Sequence, residues 1–523
     1  MRLPVLFLMA SFALAQAPPV HEAPMRGHLA FLADDLLEGR GTGQRGGDLT
    51  VRYLETQLAA QGLKPVKDGG FLQKVALHGI QTIKDRTSLR FEGGKGTLQP
   101  VLETDAILGT GQAKDEVLLD APLVFAGYGI EAPEEKWDDF KGVDLKGKVL
   151  VMLVNDPQPT AEEPARFGGK AMTYYGRWTY KYEQALRHGA AGVLLVHTDA
   201  SATYPWSVVR NSWAGERFQH AGRPGNGIQG WLTEAFARKL LESAGKDLDA
   251  LWKQAESRDF RPVELGLKLQ GALSSRVRSL DQYNVAGVVP GTDPVLKAEA
   301  VIYSGHWDHF GRDAAHPERI YNGAVDNASG CAALLAMAQA AVAKPAPRSQ
   351  IFLFVCGEEQ GLLGSEAYAA SPLWPLDRTV ADLNLDPMNW VGATTDISLF
   401  GAERTTLLER GAEIAQGMGL EVAETRPDTG GGYFRSDHFS LAKVGVPAFT
   451  IGGGRKWKHD AKASQEKADA YPKRYHQTTD RYDPAWDFSG MIQQAQFTLN
   501  LGYSLATGTA RPTWKPGARL PAR

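Results

Sequence analysis

The sequence predicts an α/β protein with a mixed, mostly parallel sheet sandwiched by helices, and a β-rich domain inserted into it. Two observations indicate this fold class. From about Tyr283 onward, continuous apolar runs alternate with amphipathic helical patterns, as in sheets that carry helices on both faces. From about Phe71 to Gln270 the pattern changes to short β-type runs separated by aromatic and Gly/Pro-rich loops. This change of pattern predicts a separate inserted domain.

The composition is typical of a folded protein with more than one domain. The chain has 523 residues, of which 43% are hydrophobic and 22% charged, and its formal net charge is −3 without a long block of one sign. This length accommodates two or three domains, and the balanced charge predicts no nucleic-acid partner. The only cysteines are Cys331 and Cys356. A disulfide framework is therefore excluded, while a single bridge between the two stays open.

The N-terminus has the pattern of a secretory signal peptide, residues 1–15. A basic start at Arg2 is followed by the apolar run Leu3–Ala15, and Ala13-Leu14-Ala15 offers a small-x-small cleavage site. The run is shorter than the roughly 20 apolar residues that cross a bilayer. A second candidate cleavage site is Ala15-Gln16-Ala17, and the alternative structure is a buried N-terminal helix. We expect an exported chain, periplasmic or secreted, with no integral membrane segment after cleavage.

The segment that follows has a helical pattern from His28 to Lys64, interrupted by the Gly-rich stretch Gly39–Gly43. This stretch lacks a preceding strand and the Gly-Lys-Ser/Thr ending of a phosphate-binding loop, so it is interpreted as a plain loop. The inserted region is predicted to contain the strands Ala121–Tyr128, Lys148–Val154 and Ala191–His197 and the helix Lys181–His188.

The C-terminal half shows the strand–helix alternation. Its predicted strands are Asn284–Val289, Ala300–Ser304, Gln350–Cys356, Val380–Asp386 and Ala448–Ile451. Its predicted helices are Ser329–Ala343, Leu407–Met418 and Met491–Tyr503. Binding sites in such folds lie at the carboxyl ends of the strands.

Clusters of polar side chains occur at those strand ends and in one C-terminal loop. The clusters are Gly305–His309, Gly323–Gly330, Gly357–Ser365, Leu385–Asn389 and Tyr475–Asp480. Each has an ordinary explanation by itself. Asp326 could cap a helix, Glu358 and Glu359 could be surface carboxylates, Asp386 could be a turn residue and His476 a solvated loop histidine. Their joint occurrence indicates a metal site instead.

The residue types match a site for two divalent ions. The candidate ligands are two imidazoles and three carboxylates: His306, Asp326, Glu359, Asp386 and His476. Zinc accepts both kinds of donor, and two ions held close together need a bridging carboxylate. If Asp326 bridges, each ion receives one His and one further carboxylate, and positions stay open for water and substrate.

Neighbouring polar residues are candidates for catalysis and support. Glu358 is free to act as the general base on a water molecule. Asp308 is placed to orient His306 or to tune the bridge, and Asp480 is a candidate to do the same for His476. The phenol of Tyr475 is a candidate to stabilise an oxyanion.

The ordered motifs GHWDHFG, GAVDNASG, GEEQGLLGS, LNLDPMN, FRSDHFS and YHQTTD resemble those of the M28 family of zinc aminopeptidases. The N-terminal stretch LADDLLEGRGTGQRGGDLTVRYLETQLAAQGLKP resembles the start of that family. FAGYGI, DLKGKVLVML and KYEQALRHGAAGVLLVH resemble the protease-associated domain that is often inserted in these enzymes. The resemblance implies a zinc-exopeptidase-like fold and two Zn²⁺ ions per chain. One departure is Pro387, where many members carry Met.

The resemblance also implies residue roles. His306, Asp326, Glu359, Asp386 and His476 match the metal ligands, with Asp326 bridging. Glu358 matches the general base, Asp308 the supporting carboxylate and Tyr475 a residue that assists the oxyanion. Arg435 matches a position that contacts substrate in some members. His309 and His438 are interpreted as residues beside the ligands or in loops rather than as ligands.

We therefore expect an exported di-zinc aminopeptidase that hydrolyses the N-terminal bond of peptides with a free α-amine, using metal-activated water and Glu358. The alternatives are a glutaminyl-cyclase-like enzyme with a single zinc and an inactive binding or receptor relative. The predicted division of the chain is a signal peptide at 1–15, peptidase residues 16–110, a protease-associated domain at 111–275, peptidase residues with the metal site at 276–510, and a tail at 511–523. The preferred N-terminal residue and the oligomeric state do not follow from the sequence.

Overall fold

The computed structural model describes residues 16–213, 215–313 and 316–518. The predicted signal peptide, residues 1–15, lies outside these ranges. Within them, no helix is long and apolar enough to cross a membrane.

The α-helices and strands largely alternate from Ser329 onward, whereas the described segment from Lys64 to Leu153 contains strands without an α-helix between them. The α-helices are Glu22–Leu32, Arg45–Ala60, Trp178–Arg187, Asp199–Ala202, Trp206–Trp213, Glu234–Ser243, Leu248–Ala255, Ser329–Ala343, Leu363–Ala370, Leu407–Gly417, His438–Lys443, Ala461–Ala470 and Ser489–Thr507. The strands are Lys64–Pro65, Leu72–Thr82, Ser88–Gly93, Ala106–Gly109, Glu116–Phe125, Glu131–Ala132, Trp137–Asp138, Val149–Leu153, Gly192–His197, Arg217–His220, Ile228–Thr233, Val263–Val289, Ala300–His306, Gly311–Arg312, Ile320–Tyr321, Ser349–Val355, Thr379–Asn384, Asp396–Phe400, Glu421–Val422 and Ala448–Gly453.

The C-terminal half forms a mostly parallel sheet. The strand Ala300–His306 lies between Ser349–Val355 and Thr379–Asn384 and is parallel to both. Thr379–Asn384 pairs in turn with the parallel strand Ala448–Gly453, and Asp396–Phe400 runs antiparallel to that strand. The predicted fold class, a mixed and mostly parallel sheet between helices, is confirmed.

Helices cover both faces of this sheet. Val301 packs in a core that includes residues of the helices Ser329–Ala343 and Ser489–Thr507, whereas Ile302 packs on the opposite face with residues of His438–Lys443. Successive side chains of a strand point to opposite faces, so a strand buried on both faces is apolar throughout. The helix Ser329–Ala343 is itself buried on nearly every side, which suits its Ala-rich sequence because alanine packs closely and favours the helix.

One long strand connects the two parts of the molecule. Val263–Val289 spans 27 residues and extends the predicted strand Asn284–Val289 toward the N-terminus. Its last residues pair with Ser349–Val355, and its earlier ones pair with Leu72–Thr82 and Glu116–Phe125. Polar and apolar residues alternate along its first part, and every second residue there is buried. This alternation is typical of a strand with one face in solvent.

The inserted region has its own buried core. The strands Val149–Leu153, Gly192–His197 and Ile228–Thr233 run parallel to one another, and Ala106–Gly109 is antiparallel to the last of them. A cluster of buried side chains, among them Trp231, fills one face of these strands. The predicted boundaries at 111 and 275 and the protease-associated type of this region stay predictions.

Candidate metal centre and active site

The carboxyl ends of three neighbouring strands meet at the candidate site. Ala300–His306 ends at its own candidate ligand, and the parallel neighbours Ser349–Val355 and Thr379–Asn384 are followed within a few residues by Glu359 and Asp386. Parallel strands end at one edge of a sheet, where ligands bind in open α/β folds. The sheet topology therefore brings together side chains that are far apart in the sequence.

The first group of donors contains His306, Asp326 and Asp386. Nε2 of His306 lies 3.3 Å from Oδ1 of Asp326 and 3.4 Å from Oδ1 of Asp386. The Nδ1–H of His306 donates to the backbone carbonyl of Asp308 at 3.0 Å. Since a carbonyl only accepts, Nε2 carries the lone pair that a metal requires.

The second group of donors surrounds the other oxygen of Asp326. Nε2 of His476 lies 3.3 Å from Oδ2 of Asp326 and 3.2 Å from Oε2 of Glu359. This buried nitrogen makes no hydrogen bond, although it points at two carboxylates. Nδ1 of His309 lies 3.9 Å from Oδ2 of Asp326, and His309, Asp326 and Glu359 also form a compact donor group.

These two groups fit a pair of divalent ions that share Asp326. One oxygen of this carboxylate faces His306, and the other faces His476. Imidazole nitrogen and carboxylate oxygen are the donors that zinc takes, and a shared carboxylate is the device that holds two ions close together. The structure brings all of the predicted ligands together in this arrangement.

The charge of the cluster also calls for a cation. Burial by itself lowers the pKa of a histidine, but the carboxylates of Glu359 and Asp326 raise the pKa of His476 to about 10. Burial is likewise outweighed at His306, whose pKa the carboxylates of Asp386 and Glu358 raise well above its ordinary value. The carboxylates thus attract positive charge strongly, and bound metal ions would supply it.

The carboxylate of Asp308 supports the loop that carries Glu358. It accepts hydrogen bonds from the backbone N–H of Glu358 at 3.1 Å and from the hydroxyl of Thr42 at 3.3 Å. Burial raises the pKa of Asp308 to about 6. Asp308 orients His306 as predicted, but through its backbone carbonyl. Its side-chain carboxylate instead holds the loop that carries Glu358.

The structure places Asp480 beside the bridging residue rather than beside His476. Its carboxylate accepts from the backbone N–H groups of Val325, at 3.1 Å, and Asp326, also at 3.1 Å. The expectation that Asp480 orients His476 therefore does not match the structure. The reason is that the chain turns between these two residues, and His476 itself has a left-handed backbone, with φ of 57°.

Asp386 is held by a chain of hydroxyl and amide groups. Its Oδ2 accepts from Ser436 at 2.7 Å, and Ser436 accepts from Asn384 at 2.8 Å. Pro387, where many members of the M28 family carry Met, follows a cis peptide bond. The carboxylate of Asp386 still belongs to the donor group. This network leaves Oδ1 of Asp386 directed at His306.

Glu358, Tyr475 and Arg435 line a cavity of about 160 Å³ that opens beside the donors. Burial raises the pKa of Glu358 well above its ordinary value, and the neighbouring carboxylate of Glu359 raises it further. The imidazole of His306 lowers this pKa, but by less. The ring of Tyr475 stacks on His476 with centroids 3.7 Å apart and is 45% exposed. All three predicted residues therefore reach the space where a substrate would bind.

The two remaining histidines differ in position. Nδ1 of His309 donates to Oε1 of Glu359 at 2.6 Å, and His309 also belongs to the compact donor group with Asp326 and Glu359. Its interpretation as a residue beside the ligands stays a prediction. His438 is buried away from the donors, where its Nδ1 hydrogen-bonds Thr450 at 2.9 Å and burial lowers its pKa to about 3. Gly323 permits the approach of His309, because a Cβ there would lie 2.5 Å from the imidazole and its φ is +54°.

Arg40 is a supporting residue that the sequence did not identify. Its guanidinium is 1% exposed and donates to the carbonyls of Leu32, Trp307, Asn322 and Gly323 at 2.6 to 2.9 Å. These bonds tie the N-terminal segment to the two segments that carry His306 and Asp326. The available signal was an arginine enclosed by glycines in Gly39–Gly43, a stretch that was interpreted as a plain loop.

The cysteines also lie near the site. Cys331 and Cys356 are both free and buried, so the bridge that the sequence left open is not formed. Sγ of Cys331 donates to the carbonyl of His306 at 3.1 Å. Burial raises the pKa of this thiol to about 12, which leaves it protonated and inert.

With this geometry established, comparison with known proteins gives the family. Residues 284–499 match the model of peptidase family M28. The chain contains an M28 peptidase domain. All of the predicted metal ligands lie inside the matched residues of the M28 domain, and the family fits peptide substrates.

Individual relatives extend the comparison. Leucine aminopeptidase 1 of Ajellomyces capsulatus (strain G186AR) is 26% identical over 305 residues, which are 54% of this chain and 71% of that protein. The aminopeptidase from Aneurinibacillus sp. strain AM-1 has the same fold, with a TM-score of 0.53 at 18% identity over 95% of this chain and 96% of that one. BSAP, a zinc aminopeptidase from Bacillus subtilis, aligns with a TM-score of 0.47 at 16% identity over 95% of this chain and 98% of that one.

The predicted M28 family is confirmed for residues 284–499, and the predicted enzyme class, a metallo-aminopeptidase, agrees with the leucine aminopeptidase to which the chain is similar. The roles of individual residues and the number of metal ions go beyond these comparisons.

Proposed function

We propose that the chain is an exported di-zinc aminopeptidase that releases the N-terminal residue of peptides with a free α-amine. The observation that carries this proposal is the position of Asp326, whose two carboxylate oxygens face separate groups of donors. A single-zinc site, as in the glutaminyl-cyclase alternative, does not need both groups.

Zinc bound at these donors would polarise the scissile carbonyl and acidify a water molecule. Glu358 lines the cavity beside the donors and accepts a proton from the attacking water at its carboxylate. It then returns this proton to the nitrogen of the leaving amine. Burial raises the pKa of Glu358, which makes its carboxylate a stronger base.

Two further residues, Tyr475 and Asp308, support this chemistry. Tyr475 is placed to donate its phenol hydrogen to the oxyanion. Asp308 holds the backbone of Glu358, so the base keeps its distance from the ligands.

The proposed export depends on the apolar run Leu3–Ala15, after which the processed chain would begin.

The test is hydrolysis of a panel of aminoacyl-p-nitroanilides by wild type, Glu358→Gln and the surface control Glu409→Gln. We expect wild type to be inactivated by a chelator and restored by zinc. Glu358→Gln should lower kcat by about 10²–10⁴-fold while the protein still binds zinc, and Glu409→Gln should leave kcat unchanged.

Full activity of Glu358→Gln would refute its role as the base. A single tightly bound zinc per chain, with N-terminal glutamine cyclised and no amino acid released, would replace the proposal by the glutaminyl-cyclase alternative. A zinc-loaded protein that is inactive on the whole panel would support a binding relative instead.

A further inference from the structure

The cavity that Glu358 and Glu359 line also carries arginines. Arg177 and Arg217 from the inserted region and Arg435 from the M28 domain line the same cavity as Glu358 and Glu359. With Lys443, these arginines set four cationic side chains beside the three carboxylates that line the cavity, Glu358, Glu359 and Glu366.

Arg177 is buried without a counterion. Its side chain is 8% exposed, and its Nε has no hydrogen-bond partner. Among the described residues, Arg177 makes no ion pair, and the nearby carboxylate of Asp428 accepts instead from the backbone N–H groups of Gly432 and Tyr433. An isolated buried charge is costly unless a partner of opposite charge is present, so this arginine is set up for a partner that binds.

Arg435 is half-buried and, within the described part of the chain, also makes no ion pair. Its buried Nε also has no hydrogen-bond partner, and its Nη2 makes one long contact of 3.4 Å with the hydroxyl of Thr203. Its guanidinium lies over the ring of Tyr204, 5.4 Å from the centroid. Burial, followed by repulsion from Arg435, lowers the pKa of Arg177 to about 10, so the two cations are close enough to repel each other.

The backbone adds to the positive potential at this place. Arg177 immediately precedes the helix Trp178–Arg187, and no side chain caps the N-terminus of that helix. Trp178 and Thr179, the first residues of the helix, also line the cavity. Uncapped N–H groups at the start of a helix attract anions.

The other charged groups of the cavity are already paired or belong to the metal site. Glu366 lies 2.8 Å from Arg223, and Lys443 lies 3.2 Å from Glu183. The carboxylate of Glu359 lies 2.6 Å from Nδ1 of His309 and 3.2 Å from Nε2 of His476. None of these carboxylates satisfies Arg177 or Arg435.

Building on the proposed function, we propose that Arg177 and Arg435 form a subsite for a carboxylate of the peptide substrate. A guanidinium binds a carboxylate through two parallel hydrogen bonds, a geometry that a lysine does not provide. The carboxylate has two possible sources, the side chain of an acidic N-terminal residue or the C-terminus of a short peptide such as a dipeptide. Both offer the same chemistry to the subsite.

The experiment compares matched substrates that differ only in this charge. Glu-p-nitroanilide against Gln-p-nitroanilide tests the side-chain source, and Leu-Leu against Leu-Leu-amide tests the C-terminal source. We expect wild type to favour the carboxylate of one pair at least tenfold in kcat/KM. Arg177→Gln and Arg435→Gln should remove that preference mainly through KM, and the control Arg187→Gln, on the same helix as Trp178 but with an exposed side chain, should keep it.

Stability measurements separate binding from folding. Because Arg177 has no partner to lose, Arg177→Met should melt at the wild-type temperature or above it. A variant that loses activity on charged and uncharged substrates alike, or a wild type without preference in either pair, would overturn the subsite.

Binding measurements keep this result independent of the proposed catalysis. Titration of Leu-Leu and Leu-Leu-amide into zinc-loaded Glu358→Gln, with and without Arg177→Gln, reports the subsite when turnover is absent. If Glu358→Gln is fully active but the arginine variants lose the preference, the base is wrong and the subsite stands. Equal affinity for the two peptides, combined with no preference for Glu over Gln, overturns the subsite even if the aminopeptidase activity is confirmed.

Discussion

Two groups of charged side chains meet at the cavity: the metal donors, here called the first wall, and the arginines Arg177, Arg217 and Arg435, here called the second wall. The two groups differ in whether each charge has a partner of opposite sign within the chain. At the metal site beside the cavity, the carboxylates of Asp326 and Glu359 face the imidazoles of His306, His309 and His476 at 2.6 to 3.9 Å. Beside it, the guanidinium groups of Arg177, which is buried, and of Arg435, which is half-buried, have no carboxylate partner among the described residues. The first wall is arranged to bind cations, and its carboxylates already face imidazoles of the same chain. The unpaired arginines of the second wall gain a partner only when an anion binds from outside.

This difference follows from how each wall is built. Three of the metal donors, His306, Glu359 and Asp386, stand at or just beyond the ends of paired strands, where the hydrogen bonds of the sheet fix the backbone. Asp326 precedes the helix Ser329–Ala343, and His476 lies in a loop. The arginine side consists of loops and helix ends contributed by the inserted region and by the segment before Ser436. Strand ends hold ligands in a constant geometry, while loops allow a wall to be adapted to a particular substrate.

The largest expected effect concerns the shared donor of the first wall. Asp326→Asn leaves one carbonyl oxygen where two anionic oxygens faced the two groups of donors. We expect zinc content to fall from about two equivalents to less than one and activity to fall at least about a thousandfold. Zinc per chain after dialysis against a zinc buffer measures this, with the exposed Asp281→Asn as control. A variant that retains two equivalents would show that Asp326 is not the bridge.

A smaller effect is expected at His309, which donates to Oε1 of Glu359. His309→Ala should weaken zinc binding at one of the two positions by about ten- to a hundredfold, measured by competition with a chromophoric chelator. His309→Asn places an amide N–H near the lost donor and should restore most of the affinity. If Asn gives no recovery and the visible spectrum of the cobalt-substituted enzyme changes, His309 is a direct ligand, and the first wall has one more donor than was predicted.

The smallest effect concerns Arg217, the arginine of the second wall that does have partners. It donates to the carbonyls of Ser212 at 2.7 Å and Gln360 at 3.2 Å. Arg217→Met should therefore lower the melting temperature by about 2–4 °C, the equivalent of roughly 1 kcal/mol, and change the preference for carboxylate substrates less than threefold. A complete loss of that preference at an unchanged melting temperature would place Arg217 in the subsite and remove the distinction between paired and unpaired arginines.

Much of the first wall could be predicted from local sequence. The apolar runs before His306 and Asp386 identified strands, and the rule that sites lie at carboxyl ends of strands then identified the donors. Periodicity located the buried helix Ser329–Ala343 correctly at both ends. These are local signals, because the side chain of each residue points to a face that its own element determines.

Other contacts had no local signal. Asp480 was expected to support the nearby His476 but instead binds the backbone of Asp326, since hydrogen-bond partners are set by how loops pass each other. Arg40 lies in a stretch that resembled a loop, and only the folded chain shows its guanidinium among backbone carbonyls. The strand Val263–Val289 likewise reaches its full length only because different strands pair along it.

The sequence by itself determined the fold class of the M28 domain, the residue types of the metal centre and their order along the chain. These depend on apolar periodicity and on the donor chemistry of His, Asp and Glu, both of which are properties of individual residues. The tertiary structure decided which oxygen of Asp326 faces which imidazole, and it brought Arg177 to the cavity that Glu358 lines. Those relations join residues that are distant in sequence, and only the packing of the inserted region against the sheet brings them to one cavity.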